Sequence, residues 1–367
     1  MTADVTIAGA GLAGALAALV LGRDRRVVVL EAEAPAAGAS GAAAGIVNPF
    51  MGRKAKPAWR HRDALDAIDH VAEEAGASAL LHRSGVLRPA GSASQAAVFE
   101  ERAGEHPDEL DWCAADAARE RWPFVAAPFG LLHVRRGGHV EIPRLVRAAL
   151  GAARERGAVV VQTESLRDWR SDGDRMSAIT ENREIETRHL LLTLGDGVRL
   201  LPALAGLPLH RVKGQTVTLE RPDTLPADAP AVAGHGYVVP GSEGVVAGAT
   251  FDHTFEGAAP DPRRDAELRD GAARLVPSLA GARVLGRRAG VRLTVPAAAS
   301  PRRLPLAGPL PGHPGVWLLT GLGAKGLLTA PLLAGLLPDA LDGRRPLPPE
   351  VTAPLAAAAS RWTATGR

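Results

Sequence analysis

Cysteine occurs once in the 367 residues, as Cys113. No intrachain disulfide can form, and a cysteine-based zinc site is excluded. Tyrosine also occurs once, as Tyr237, so its hydroxyl has no stand-in. No apolar run reaches the roughly 20 residues that span a bilayer. The opening Met-Thr-Ala-Asp has no basic leader region, so a soluble, cytoplasmic protein with no membrane contact is expected. No block of five like charges occurs, and the net charge is only +3, from 43 Lys and Arg against 40 Asp and Glu. A dedicated nucleic-acid face is therefore not evident. No two histidines have the HxxxH or HExxH spacing of a metal site, and no metal is expected. Internal repeats and long low-complexity linkers are missing too.

What is present is an apolar chain, 46% hydrophobic and 23% charged, long enough for two compartments with cores of their own. Its first segment, VTIAGAGLAGALAALVLGRDRRVVVLEAE (5–33), reads as strand, glycine turn, helix, strand and acid. Asp4–Ala8 and Arg26–Leu30 are apolar enough for strands buried on both faces. Leu12–Leu21 reads as the helix between them. Gly9 makes the tight turn, Gly11 lets the backbone approach a pyrophosphate, and Gly14 allows close helix–strand packing. The pyrophosphate would sit on the helix N-terminus, and Glu31 is placed to hydrogen-bond a ribose. The run GASGAAAGIVNPF (38–50), with the single hydroxyl Ser40, suits either a flexible loop or a narrow channel for a longer flavin cofactor.

Further along, GAVVVQ (157–162) is a short strand after an amphipathic helix over Pro143–Arg156, and His189–Leu194 is another buried strand. Val316–Thr320 is an apolar strand leading into the glycine turn Gly321–Gly326, followed by a short helix over Leu327–Leu337 broken at Pro331. That second helix N-terminus, with Lys325, could stabilise negative charge on a reduced flavin. NPFMGRKAKPAWRHR (48–62) is basic and holds Trp59; it suits a loop leading into a helix over Ala58–Glu74, the alternative being a nucleic-acid grip in which Trp59 stacks on a base.

Taken together, these segments resemble the D-amino-acid oxidase (DAO-like) superfamily of FAD-dependent oxidoreductases, and within it the glycine and sarcosine oxidases and the oxidase domain of the tRNA-modifying MnmC proteins. The resemblance is carried by the opening motif and by GGHVEIPRLVRAAL (137–150), HRVKGQTVTL (210–219), GYVVPGSEGVVAGATFD (236–252) and GVWLLTGLGAKGLLTAPLLAGLL (315–337). Residues 80–136 match only loosely. The resemblance implies an α/β fold in which a Rossmann-type FAD-binding domain (1–80, 138–210 and 285–367) is intertwined with an antiparallel-sheet substrate domain (81–137 and 211–284). It implies FAD contacts at Gly9, Gly11, Leu12, Ala13 and Gly14, at Glu31, Ala32, Ser40, Ala44 and Gly45, and at Leu166, Thr193 and Gly195. A final group comprises Arg292, Gly323, Ala324, Lys325, Gly326 and Leu327. Thr193-Leu194-Gly195 departs from the family's Ala-x-Gly.

On the substrate side the resemblance places Arg292 and Tyr237 over the flavin ring, clamping the carboxylate of an amino acid, with Lys325 at the flavin. An Arg fork takes a carboxylate bidentately, and a Tyr adds one aligned donor. His61, His139, His235 and His253 are read as structural, because this oxidation needs no obligatory protein base. Cys113 lies away from every flavin motif, so FAD is expected to be held non-covalently. The implied reaction oxidises the C–N bond of a primary or secondary amine, glycine-like or N-substituted, to an imine. Water then hydrolyses the imine, and oxygen is the electron acceptor. One alternative is an MnmC-like removal of the carboxymethyl group of a tRNA wobble uridine. The other is a non-catalytic FAD-carrying subunit.

Overall fold

The computed structural model describes residues 1–172 and 175–365. Its first large sheet is built on the opening motif. Strands β1 (Thr2–Ala8), β2 (Val27–Glu31), β3 (Val159–Gln162) and β4 (Glu184–Leu192) lie in the order β3–β2–β1–β4, all parallel. The outer edge of β4 is divided. Its first half takes the antiparallel strands Asp168–Asp172 and Arg175–Ile179, and its second half pairs in parallel with Val316–Thr320. Val5 and Ile7 belong to one core and Ala8, on the opposite face, to the other, as expected of a parallel sheet covered on both sides.

Helix α1 (Leu12–Leu21) follows β1, and all ten of its residues are buried. A helix apolar all round must be enclosed. It is enclosed by α3 (His61–Glu74), α4 (Ile142–Glu155) and α5 (Gly326–Leu341), which share one core with it. The short helix α2 (Ala39–Ala42) lies within the small-residue run. α4 buries Leu145, Val146, Ala149, Leu150 and Ala153 on one stripe and turns Arg144 and Arg147 outward.

Two helix boundaries differ from expectation. α3 starts at His61 rather than Ala58, because Lys56–Pro57 pairs as a strand with Phe50–Met51 and Arg60 turns left-handed, at φ 48°. α5 is not broken at Pro331 but runs through it and Pro338 to Leu341. Its buried Leu328, Ala330, Leu333, Ala334 and Leu337 bury enough apolar surface to outweigh the roughly 3 kcal/mol cost of an internal proline.

The second large sheet contains β5 (His210–Leu219), β6 (Tyr237–Gly241), β7 (Gly244–Gly248) and β8 (Val284–Thr294), in the order β8–β5–β7–β6. It continues through Ala231–Ala233, Val86–Pro89, Leu131–Val134 and Leu110–Cys113. Segments 81–137 and 211–284 thus share one sheet. It is antiparallel except where Val86–Pro89 meets Ala231–Ala233 in parallel. β8 pairs with β5 from Val284 to Thr294, so this strand joins the second sheet beyond the expected boundary at 285. No helix of the described residues is long and apolar enough to cross a membrane.

His139 gives the fold a pH dependence. Its ring is 3% exposed and stacks on His82 with centroids 4.7 Å apart. Burial, with His82 beside it, pushes its pKa from 6.5 down to about 4. The unfolded chain therefore binds this proton first as pH falls, so stability present above pH 6.5 is lost progressively toward pH 4. The full span corresponds to roughly 3 kcal/mol. Urea unfolding between pH 7 and 4 should show this loss, and His139→Phe should remove most of it; an unchanged slope would assign the loss to other groups.

Candidate active site

The start of α1 is shaped for an anion. Gly9 has φ +105°, and a Cβ there would stand 2.6 Å from the Thr193 carbonyl oxygen. Gly14 is tighter, since its Cβ would lie 1.8 Å from the Gly9 carbonyl oxygen. Gly11 is the N-cap and contributes no side chain; a Cβ at Gly11 would meet only the Ser40 Oγ, at 3.2 Å. The Ser40 hydroxyl accepts from the Leu12 N–H (3.0 Å), and the Glu31 carboxylate accepts from Ala10 N–H (2.7 Å) and Glu33 N–H (3.0 Å). Thr193 donates its hydroxyl to the Ala8 and Gly9 carbonyls, pinning the turn.

The second glycine turn meets the first. A Cβ on Gly326, the first residue of α5, would lie 3.6 Å from Leu12 Cδ2, so the two helix starts are neighbours. Gly323 N–H donates to the Leu293 carbonyl (2.9 Å), tying this turn to β8. α2 closes the third side. Its Ala39 backbone would be 2.7 Å from a Cβ on Gly290 of β8, and its Ala42 carbonyl accepts from the Thr216 hydroxyl of β5 (3.2 Å). The two positive helix ends, α2 and the second sheet thus converge on one place.

Opposed residues of an antiparallel pair project to one face, and alternate residues along a strand return to it. Arg292 opposes Val212, Thr216 opposes Gly248, and Gly248 opposes Tyr237. Arg292 and Tyr237 therefore project from the same face, with Gly214, Thr216 and Gly248 between them. The side chains lean over these glycines. Arg292 Nη2 is 2.6 Å from the place of a Gly214 Cβ, and the Tyr237 hydroxyl is 2.8 Å from that of a Gly248 Cβ.

Arg292 is half-buried and donates to the Thr250 carbonyl (3.3 Å), while the Phe251 ring covers its Cζ at 4.2 Å. No carboxylate of the described residues pairs with it, and burial lowers its pKa. A guanidinium withdrawn from water with donors to spare is a feature of an anion site. Burial also pushes the Tyr237 phenol up to about 12, against the pull of Arg292, so it is a neutral donor at ordinary pH.

The remaining expected residues are placed as follows. Leu166 is buried beyond β3, where Glu164 N–H reaches the Glu31 carbonyl (3.0 Å). Ala32 is exposed, Ala44 half-buried, and Gly45 lies against the Val140 carbonyl. Gly195 (φ +55°) opens the turn after β4. The Ala13 amide lies in the first turn of α1 and that of Leu327 in the first turn of α5; Ala324 is exposed in the second glycine turn. Lys325 caps α5, but its ammonium donates to the Arg302 carbonyl (2.6 Å), and burial followed by Arg302 and Arg303 lowers its pKa.

Of the histidines, His61 bonds Glu109 (3.0 Å), His253 bonds His210 (2.8 Å) and His235 is exposed. Cys113 stands on the strand that ends the second sheet, opposite β8. Trp59 is buried in the core and donates to Glu350 (3.3 Å). Sequence reasoning missed Gly214, Gly248, Thr250 and Phe251. The signal available was glycine inside two strands, which marks close approach to another group.

Residues 4–340 match the family of FAD dependent oxidoreductases. The chain belongs to that family. This oxidoreductase is 30% identical to glycine oxidase of Pseudomonas aeruginosa over 369 residues, which cover 95% of the chain and 97% of the relative. It is 33% identical to the tRNA 5-methylaminomethyl-2-thiouridine biosynthesis bifunctional protein MnmC of Thiobacillus denitrificans, over 94% of the chain but only 57% of that longer protein. Its fold is similar to iminodiacetate oxidase from Chelativorans sp. BNC1, with TM-score 0.81, 25% identity and 95% and 98% of the two chains covered. It is also similar in fold to glycine oxidase from Geobacillus kaustophilus, with TM-score 0.82, 24% identity and 94% and 95% covered.

FAD is the cofactor of this family, and the residues present fit it. The side-chain-free N-cap, the Ser40 hydroxyl and the α1 amides suit the pyrophosphate, and Glu31 keeps lone pairs for a ribose. Gly11 takes a Cβ with only the Ser40 hydroxyl inside 4 Å, so Gly11→Ala should leave the apoprotein fold intact, and Gly11→Val extends the series. Gly11→Val should reduce the flavin retained after purification by roughly tenfold or more, since the side chain takes the space of the phosphates. Flavin absorbance and apoprotein melting measure the two effects separately; full flavin occupancy in the variant would move the pyrophosphate elsewhere.

Proposed function

We propose that this oxidoreductase oxidises the C–N bond of a small amine that carries a carboxylate, a glycine-like or N-substituted amino acid, to the imine. The observation that carries this reading is Arg292, a half-buried guanidinium with no carboxylate partner among the described residues, on the same glycine-floored face as the only tyrosine. FAD, when bound, supplies the hydride acceptor. The chain's own contribution is orientation. Arg292 takes the substrate carboxylate in its planar fork with Phe251 lying over the guanidinium, and Tyr237 donates one further hydrogen bond. The amine enters neutral. The two electrons leave with the α-hydrogen, the nitrogen proton goes to solvent, and water hydrolyses the imine to the carbonyl compound and free amine. Oxygen is the acceptor we assign, with peroxide as its product.

The starts of α1 and α5 put positive potential where negative charge gathers on reduction. In this reading Lys325 adds to it from its place on the Arg302 carbonyl. The cofactor is held non-covalently, with Cys113 far along the second sheet. Removal of a carboxymethyl group from a tRNA uridine has the 33% identity to the bifunctional protein behind it. The buried Trp59, however, leaves the basic stretch 48–62 without its aromatic platform for a base. A purely cofactor-carrying subunit has no use for a half-buried arginine that lacks a carboxylate partner among the described residues and shares a face with the tyrosine.

Arg292→Ala should cost on the order of 2–4 kcal/mol of transition-state stabilisation, roughly a hundredfold or more in kcat/KM. Arg292→Lys should recover only part of it, because a point charge does not reproduce the fork. Anaerobic flavin reduction by glycine and N-substituted glycines reads both; unchanged rates and affinities in Arg292→Ala would end the carboxylate-clamp reading. Because burial raises the phenol to about 12, Tyr237 stays protonated throughout the working range. Substrate affinity should therefore show no loss assignable to tyrosine ionisation below pH 10. Tyr237→Phe should weaken binding by the same factor at pH 7 and pH 9.5, and a factor that shrinks toward pH 9.5 would show a phenol already ionised there.

A further inference from the structure

A cleft of about 640 Å³ opens beside Ala37 and the α2 residues Gly41 and Ala42, whereas Ser40 of that helix turns to α1. It is framed by the start of α4, the turn between β6 and β7, and the edge strand β8. Four arginines line it, Arg144, Arg147, Arg287 and Arg288, against two carboxylates, Glu141 and Glu243. The arginines are unequally committed. Arg287 is ion-paired with Asp265 (2.8 Å), and Arg288 stands 3.7 Å from Glu243 and 3.4 Å from the Gly41 carbonyl. Glu141 accepts from the Ser242 N–H (2.9 Å). Arg144 and Arg147 are exposed; Arg144 feels Glu141 only at longer range, where it helps hold that carboxyl low, and neither guanidinium has an ion pair within 4 Å or a hydrogen bond among the described residues.

We propose that this cleft binds a ligand bearing two or more phosphates, separate from the cofactor. Arg144 and Arg147 are three residues apart on α4, so their forks project side by side, one turn from each other. Two parallel guanidinium forks suit successive phosphates, and Arg288 bounds the opposite wall. A single carboxylate would leave most of the volume unused. The FAD pyrophosphate does not account for the site, since its place is the α1 terminus beyond Ser40. The phosphates could belong to a small polyphosphate ester or to a nucleic-acid strand, and the site is independent of which amine is oxidised.

The test uses the flavin-loaded protein, so that the α1 terminus is filled. Inorganic triphosphate and a labelled single-stranded RNA of about 12 nucleotides are titrated from about 50 to 200 mM salt. The proteins compared are wild type, the double variant Arg144→Gln/Arg147→Gln, and Arg119→Gln, on the helix Ala115–Arg121 and outside the cleft, as a control. At least one probe should bind wild type and the control. The double variant should bind roughly tenfold more weakly or worse, with a log–log salt slope shallower by about 0.7 for each phosphate that is no longer neutralised. Its flavin spectrum and reduction rate should not change. Triphosphate binding identifies a small ligand, and binding of RNA alone identifies a strand. No binding of either probe at the lowest salt, or equal binding by the double variant, overturns the proposal.

Discussion

A Cβ at Gly14 would stand 1.8 Å from the carbonyl oxygen of Gly9. Because there is none, α1 leaves β1 without a spacer and lies flat against its turn, and its first amides open where β1 ends. Thr193 holds the same turn from the far side through two hydroxyl–carbonyl bonds. The position of every other site element is referred to this contact. α5 packs along α1 with its own first residue beside Leu12, so the two positive helix ends are brought side by side by one backbone approach. Two aligned helix starts around one ligand offer a preorganised positive field that needs no rearrangement when charge appears.

The four-residue α2 transmits this geometry to the second sheet. Ser40 is bonded to α1, Ala39 packs on Gly290 of β8, and the Ala42 carbonyl takes the Thr216 hydroxyl of β5. Any larger residue at Gly290 would drive α2 off the sheet. Small residues here are consequently a packing requirement and not a sign of looseness. A Cβ on Gly290 would stand 2.7 Å from Ala39 Cα and 3.2 Å from Ala42 Cβ, so the helix and the strand meet backbone to backbone. The face that carries Arg292 and Tyr237 is itself cleared by glycine: Gly214 gives the guanidinium, and Gly248 the phenol, room to lie over the sheet.

Local pattern made much of this readable. Strand, glycine turn, helix and acid in the first 31 residues need only neighbours in sequence, and the helix Leu12–Leu21 and the strand Val316–Thr320 appear with the boundaries read from the residues. The glycine/alanine run at 38–50 remained open between loop and channel, because its helical turn is stabilised by β5, β8 and α1 and not by its own propensity. Pro331 was read as a break, yet the core shared by α1 and α5 carries the helix through it. β8 was assigned by position to the cofactor side, but its hydrogen bonds run with β5 along its whole length.

The sequence by itself determined the dinucleotide cradle, since glycine conformations, helix start and acid are set by residues within one short segment. It also named Arg292 and Tyr237, through resemblance, without showing that they share a face. Only the tertiary structure decided that: the two residues are 55 positions apart, and strand register across β8, β5, β7 and β6 puts them on one face. It likewise decided that Trp59 belongs to the core, that Lys325 is tied to a loop carbonyl, and that Arg144, Arg147 and Arg288 line one cleft. Whether a charge is paired depends on which distant carboxylates the fold brings near, and that information is not local to any stretch of the chain.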